Sequence, residues 1–279
     1  MGHMLVDLLI FAATGVVAGV MAGLFGVGGG LTIVPILAVL MPTLGVPPAV
    51  VMQVAIGTSL GVISFTSLSS ARAHQRRGGV DWRVLFSLAP GLMIGAVMGA
   101  QIADLLSGDA LRNIVGFGAL AIAAQMALVT PKPVAPDARP PSRLELGLAG
   151  TVIGAAAALI GIGGGSLNVP YLNLRGVPIH QAVGTSAAAG IPIAWAGALG
   201  FVWAGWGTAG VPGPALGYLS LPALAGIGLF SVLTAPLGVR MAHAASPRVL
   251  KRAFALLLVG IGLYPVSYTH LTLPTILRV

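Results

Sequence analysis

Apolar stretches long enough to cross a bilayer recur along this chain, each divided from the next by a short polar or Gly/Pro-rich connection. A membrane-spanning helix needs roughly 20 apolar residues, and the first stretch, about Leu5 to Phe25, supplies them. It carries Gly15, Gly19 and Gly23 at four-residue spacing, a row of small residues that lets a second helix approach closely. Gly26-Val27-Gly28-Gly29-Gly30 then breaks the helix, and a shorter apolar piece runs from Leu31 to about Met41. Further spans are predicted at about Ala49–Ser70, Val84–Ile102 and Asn113–Val129.

The same order then repeats. Leu144 to Leu159 leads into Gly161-Ile162-Gly163-Gly164-Gly165, and a short piece runs to about Asn173. Spans follow at about Gln181–Val202, Leu216–Val239 and Val249–Leu263. The spacing from the first glycine of each break to a proline, Pro35 or Pro170, is identical, and Gly57-Thr58-Ser59 is echoed by Gly184-Thr185-Ser186. Gly238 with Leu250-Lys251 likewise answers Gly99 with Leu111-Arg112. A membrane β-barrel would show segments of alternating polarity, and these runs do not alternate. The predicted fold is an all-α polytopic membrane protein of two homologous halves. Each half has about four membrane-embedded segments, with glycine-broken helices or re-entrant hairpins. Residues 1–130 form the first repeat, 131–142 a Pro-rich linker, 143–265 the second repeat and 266–279 an atypical tail set apart from the function.

Composition agrees with this pattern. Apolar residues make up 57% of the chain and charged residues 7%, against roughly 25% charged in a soluble domain. The net charge of +8 comes from Arg and Lys in the short connections, where it sets orientation by the positive-inside rule rather than marking a nucleic-acid partner. There is no cysteine, which excludes disulfides and thiolate chemistry. No basic region precedes the first apolar run, so the start reads as a retained helix rather than a signal peptide.

Charge also poses a topological question. The basic connections Arg72–Arg83 and Arg240–Arg252 both belong in the cytoplasm by that rule, yet they follow different spans of their repeats. A parallel four-plus-four duplication puts them on opposite sides. If each glycine break is the tip of a re-entrant hairpin, each half crosses three times, the repeats are inverted, and both connections fall inside. The length of Leu5–Phe25, enough for a full span, argues against that; the charges argue for it.

Candidate chemistry lies at the breaks. A helix N-terminus carries about half a positive charge and unpaired N–H donors, so the short helices beginning near Leu31 and Ser166 are candidate anion sites. Gly28, Gly29, Gly30, Gly163, Gly164 and Gly165 would offer backbone, while Thr32, Ser166 and Asn168 add side-chain donors. Close helix packing explains either glycine run alone equally well; repetition with a shared proline favours a paired site. Thr58, Ser59, Thr185 and Ser186 are hydroxyls within spans, which commonly bond the carbonyl one turn earlier, but their matched placement suits the lining of a shared cavity. Gln53 needs a partner inside a span, and Tyr171 either faces the same cavity or anchors at the interface. No acidic residue lies clearly mid-membrane, so a cation would lack a counter-charge and a negatively charged substrate fits better.

The paired glycine breaks with their prolines, the Gly45-Val46-Pro47 and Gly176-Val177-Pro178 turns and the Gly-Thr-Ser positions resemble the sulfite exporter TauE/SafE family, the toluene sulfonate uptake permeases. The resemblance extends over nearly the whole chain, to about Leu263. It implies a bacterial inner (plasma) membrane transporter of sulfite or organosulfonates such as sulfoacetate. The expected function is secondary transport of small sulfur-containing anions by alternating access, with a passive anion channel as the alternative. An intramembrane enzyme acting on a phosphate-bearing lipid fits less well, because it needs a general base or metal-binding carboxylates beside the break. No catalytic residue, metal or cofactor is therefore expected. Expected partners are the small anion and the lipid bilayer; a coupling ion (H+ or Na+) and a homodimer are compatible with the residues but not specified by them.

Overall fold

The computed structural model describes residues 2–25, 28–128, 142–208 and 211–244. Gly26, Val27, all of the linker but Ser142, the span expected at Val249–Leu263 and the 266–279 tail lie outside them. The described chain is almost wholly helical. Helices α1 (Gly2–Phe25), α2 (Gly30–Thr43), α3 (Val51–Gln75), α4 (Trp82–Leu105) and α5 (Gly108–Leu128) form a first series. A second comprises α6 (Arg143–Ile160), α7 (Gly165–Leu174), α8 (Ile179–Ala204) and α9 (Leu221–Ala244). Six of these, namely α1, α3, α4, α6, α8 and α9, are long and apolar enough to cross a membrane. The chain is an integral membrane protein of the all-α class.

One boundary moves. The span expected from Leu216 begins only at Leu221, because Ala215–Leu216 and Leu219–Ser220 pair as a short antiparallel hairpin, β1 and β2. Tyr218 at its turn is buried, stacks edge-on to Phe201 and donates its hydroxyl to Asp104 Oδ1 at 2.7 Å. Burial first, and the neighbouring Asp104 after it, raise the phenol above its usual pKa, so it stays a donor.

Glycine decides how the long helices pair. α1 lies along α9, and α6 along α4. The helix that opens each series thus packs on the fourth helix of the other. A Cβ added at Gly15, Gly19 or Gly23 would fall 2.5, 2.3 or 2.0 Å from the carbonyl oxygens of Ile227, Ser231 and Ala235. Added at Gly91, Gly95 or Gly99, it would fall 2.0, 2.0 or 2.6 Å from those of Gly147, Thr151 and Ala155. Contact numbers rise together in both sets, so each pair runs parallel with backbones in near contact.

Helices α3 and α8 form the centre and run antiparallel: Gly57 meets Phe201, while Ser67 meets Gly190. α3 is parallel to α9, with Thr66 Oγ1 2.6 Å from Ser231 Oγ and the Arg77 guanidinium donating to the Val239 carbonyl at 3.1 Å. So α1, α3 and α9 run one way, and α4, α6 and α8 the other. The short helix α2 turns back: Gly30 sits beside Ile63, and Val34 meets Gly161 at the level of Ile56. It therefore runs antiparallel to α3 along half its length. α1 and α2 form a hairpin with one full arm and one half arm, which accommodates both the length of Leu5–Phe25 and the glycine turn. The Arg77–Val239 contact also puts the ends of α3 and α9 side by side, so Arg72–Arg83 and Arg240 share one end of the molecule. A parallel four-plus-four arrangement would have separated them.

Candidate functional site

Both half-length helices start in the middle of the molecule, one residue earlier than expected. Gly29 caps α2 and Gly164 caps α7, at φ +80° and +76°, left-handed values that a Cβ disfavours. The Gly29 carbonyl accepts from the Thr32 and Ile33 N–H groups, and Gly164 from Leu167 and Asn168. Neither cap has a side chain to bind the first N–H groups of its helix, so those donors stay open. Pro35 and Pro170, one turn in, deny the Leu31 and Ser166 carbonyls their usual intrahelical donor.

The two breaks touch. A Cβ on Gly28 would lie 3.4 Å from Gly163 Cα, and one on Gly30 2.1 Å from the Gly161 carbonyl oxygen. Ser59 on α3 donates its hydroxyl to that same oxygen at 2.9 Å. Gly28, Gly29, Gly30, Gly163, Gly164 and Gly165 are all buried. Ile63, against which Gly28 and Gly30 pack, is the midpoint of α3, and Gly190 beside the Gly163 carbonyl lies near the midpoint of α8. Two helix N-termini, each with its partial positive charge, therefore meet halfway along the long helices.

Polar side chains collect on the α7 side of this contact. Ser166 Oγ, both amide atoms of Asn168, Ser186 Oγ and Ser67 Oγ are buried without a hydrogen-bond partner. Asn168 and Ser186 are 0% exposed, Ser67 2% and Ser166 5%. Asn168 Nδ2 lies 3.0 Å from where a Gly164 Cβ would stand. A Cβ at Gly190 would lie 3.1 Å from the Gly163 carbonyl oxygen and 3.2 Å from Ser67 Cβ. Ser186 precedes Gly190 by one turn of α8. Buried polar groups are nearly always bonded, so five open atoms around one helix N-terminus are an exception, with unused donors and acceptors. On the α2 side, Leu31 and Ile33 stand where α7 has Ser166 and Asn168, and Thr32 is the one polar side chain of the first turn.

The remaining expected residues are placed elsewhere. Gln53 sits near the start of α3, about 15 Å along the helix from Ile63, and donates Nε2 to the Leu106 and Ala103 carbonyls at the end of α4. Thr58 Oγ1 accepts the Ser220 N–H at 3.0 Å, and Thr185 Oγ1 accepts the Asp81 N–H at 2.8 Å. These hydroxyls anchor the entries to α9 and α4. Thr58→Val or Thr185→Val leaves a backbone N–H unpaired, at about 1–3 kcal/mol. Each should lower the unfolding temperature in detergent, while Thr151→Val, which removes only a bond to the carbonyl one turn back, should not. Tyr171, half-buried, lies one turn beyond Asn168 with the Arg175 guanidinium 5.9 Å over its ring. Arg175 pairs with Glu145, tying the end of α7 to the start of α6.

Ser67 is the residue that sequence reasoning passed over. It sits in Thr66-Ser67-Leu68-Ser69-Ser70, where hydroxyls at almost every position conceal the one that faces the break. Its spacing from Ser59 and Ile63, in steps of four, puts all three on one face.

The sequence profile described as "Sulfite exporter TauE/SafE" matches residues 11–264. A probable membrane transporter protein of Haemophilus influenzae is 35% identical over 262 residues, covering 92% of this chain and 97% of the relative. Another, of Methanocaldococcus jannaschii, is 28% identical over 265 residues, covering 94% and 95%. A third, of Bacillus subtilis, is 33% identical over 204 residues, covering 64% and 72%. No solved structure matches the chain.

Proposed function

The chain belongs to the sulfite exporter TauE/SafE family and is a membrane transporter; from that premise we propose that it carries small sulfur-containing anions, sulfite or an organosulfonate such as sulfoacetate, by alternating access across a bacterial inner membrane. The observation that carries this reading is the set of open, buried polar atoms at the N-terminus of α7, around Gly163 and Gly164. An anion there takes N–H donors from the helix end, hydroxyl donors from Ser67, Ser166 and Ser186, and the Asn168 amide. Among the described residues, Asp7, Asp81, Asp104, Asp109 and Glu145 stand near helix ends or in connections, and Asp81, whose N–H bonds Thr185 beside the site, turns its carboxylate to the Arg83 and Val84 N–H groups that open α4.

The opposite directions of α3 and α8, and of α1 and α6, support a reading of the halves as inverted repeats. Their half-helices start at the shared midpoint, the arrangement in which one half rocks against the other around a fixed site. Gathering Arg72, Arg76, Arg77 and Arg240 at one end supports a cytoplasmic assignment for that end.

Two measurements test the proposal. A thermal-shift series in detergent with sulfite, sulfate, sulfoacetate, taurine and carboxylate analogues reads ligand binding as stabilisation of the folded state. Sulfite or a sulfonate should stabilise most; a carboxylate that does so instead sinks the substrate class. Asn168→Ala removes a hydrogen bond to a charged ligand, about 1.5–3 kcal/mol, and should raise KM for flux roughly tenfold or more with inserted protein unchanged. A passive channel would give flux that neither saturates nor responds to anion on the far side.

A further inference from the structure

A groove of about 300 Å³ lies between α3 and α9 at the arginine-rich end of the molecule. Its floor is apolar, with Phe65, Leu68, Val232 and Pro236, and Arg72 and Arg76 stand at its head. The arginines are exposed and one helical turn apart. Among the described residues neither meets a carboxylate or a hydrogen-bond acceptor, whereas Arg77, Arg112 and Arg175 each have one. Ser69, also in the lining, spends its hydroxyl on the Val232 carbonyl at 3.0 Å and so fastens the two walls together.

The fold does not demand arginine at these two positions. Counting along α8 from its Gly-Thr-Ser, Leu199 and Trp203 occupy the places of Arg72 and Arg76, and both are exposed. The positive-inside rule explains a basic end. It does not explain two unpaired guanidinium groups set over an apolar trough.

We propose that this groove binds an anionic phospholipid, with an acyl chain along Phe65, Leu68, Val232 and Pro236 and the phosphate between Arg72 and Arg76. Arginine pairs suit phosphate oxygens because the guanidinium presents a planar fork of donors. The charged head alone would serve a free phosphate as well; the apolar floor continuous with it is what selects a lipid. Among the described residues the site lies on the outer surface, and its lining shares no residue with the contact between the glycine breaks.

The test uses the full chain in phosphatidylcholine nanodiscs with phosphatidylglycerol added in steps, and native mass spectrometry counts retained lipid. Wild type should prefer phosphatidylglycerol roughly thirtyfold, the product of two basic contacts near a headgroup. Arg72→Gln with Arg76→Gln should reduce that preference to about threefold or less, with phosphatidylcholine retention unchanged. Val232→Trp keeps both charges but fills the trough, and should lose the bound lipid too. Three results overturn the proposal: a preference untouched by removing the arginines, full retention in Val232→Trp, or displacement of the lipid by soluble glycerol phosphate at equal concentration.

Discussion

Gly164→Ala is expected to leave the protein folded and inserted while cutting flux at least about tenfold, whereas Gly29→Ala is expected to damage the fold itself. At both positions φ is near +80°, which costs a residue with a Cβ roughly 1–2 kcal/mol. The surroundings separate them. At Gly29 the new methyl would lie 2.5 Å from the Ala18 carbonyl oxygen and 3.0 Å from its carbon. That is backbone of α1 and cannot step aside, so the full and half arms of the hairpin must part. At Gly164 the methyl meets Ile193 Cδ1 at 2.3 Å, the free tip of a side chain that can rotate away, and Asn168 Nδ2 at 3.0 Å. The amide is thus pushed off the proposed anion position while the helices hold. Gly78→Ala is the control, since Gly78 has φ +68° with nothing within 4 Å; it carries the strain without the clash. Flux into reconstituted vesicles, measured beside unfolding temperature, decides. Wild-type flux in Gly164→Ala would remove Asn168 from the site, and wild-type stability in Gly29→Ala would contradict the α1–α2 contact.

The second large effect lies at the α4–α6 seam, where neighbouring glycines should respond with opposite signs. A Cβ on Gly91 would lie 2.0 Å from the Gly147 carbonyl oxygen and 2.9 Å from the Thr151 nitrogen. Nothing in that contact is flexible, so Gly91→Ala must force two long helices apart, a loss of roughly 3 kcal/mol. Gly147, whose own carbonyl makes the clash, has nothing within 4 Å of its Cβ position. Gly147→Ala adds helix propensity without contact and should be neutral or stabilising by about 0.5 kcal/mol. Denaturant unfolding of the two variants in detergent measures the difference. Equal effects would mean that composition, and not close approach, sets the cost.

Much of the architecture was legible because hydrophobic length and glycine punctuation are local signals. The two breaks, their half-length helices and the long spans follow from runs of apolar residues between Gly and Pro, and the boundaries fall within a few residues of Gly30, Val51, Trp82 and Ile179. Partner choice was not local. The row Gly15, Gly19, Gly23 announced a close contact, yet nothing near it in the chain names Ile227, Ser231 and Ala235 as the other side. The hairpin that delays α9 to Leu221 escaped for the same reason, since Tyr218 turns there to reach Phe201 and Asp104 from distant helices. At the candidate site the matched motifs suggested two equal halves. Thr58 and Thr185 keep that symmetry, each holding the backbone N–H that precedes the following helix. Ser166 and Asn168 break it, because Leu31 and Ile33 hold the equivalent positions of α2. That inequality was written in the residues, but symmetry of spacing drew attention from inequality of chemistry.

The crossed pairing of α1 with α9 and α6 with α4 also sets a timetable for biogenesis. When α6 emerges from the ribosome, its partner α4 has already been made and inserted. α1 has no such luck: its partner begins at Leu221, about 200 residues after Phe25, which at ordinary synthesis speed is a delay of about ten to forty seconds. Throughout that interval the glycine row of α1 faces lipid, or a chaperoning insertase, as an adhesive strip without its match. An early-terminated chain would keep that strip uncovered.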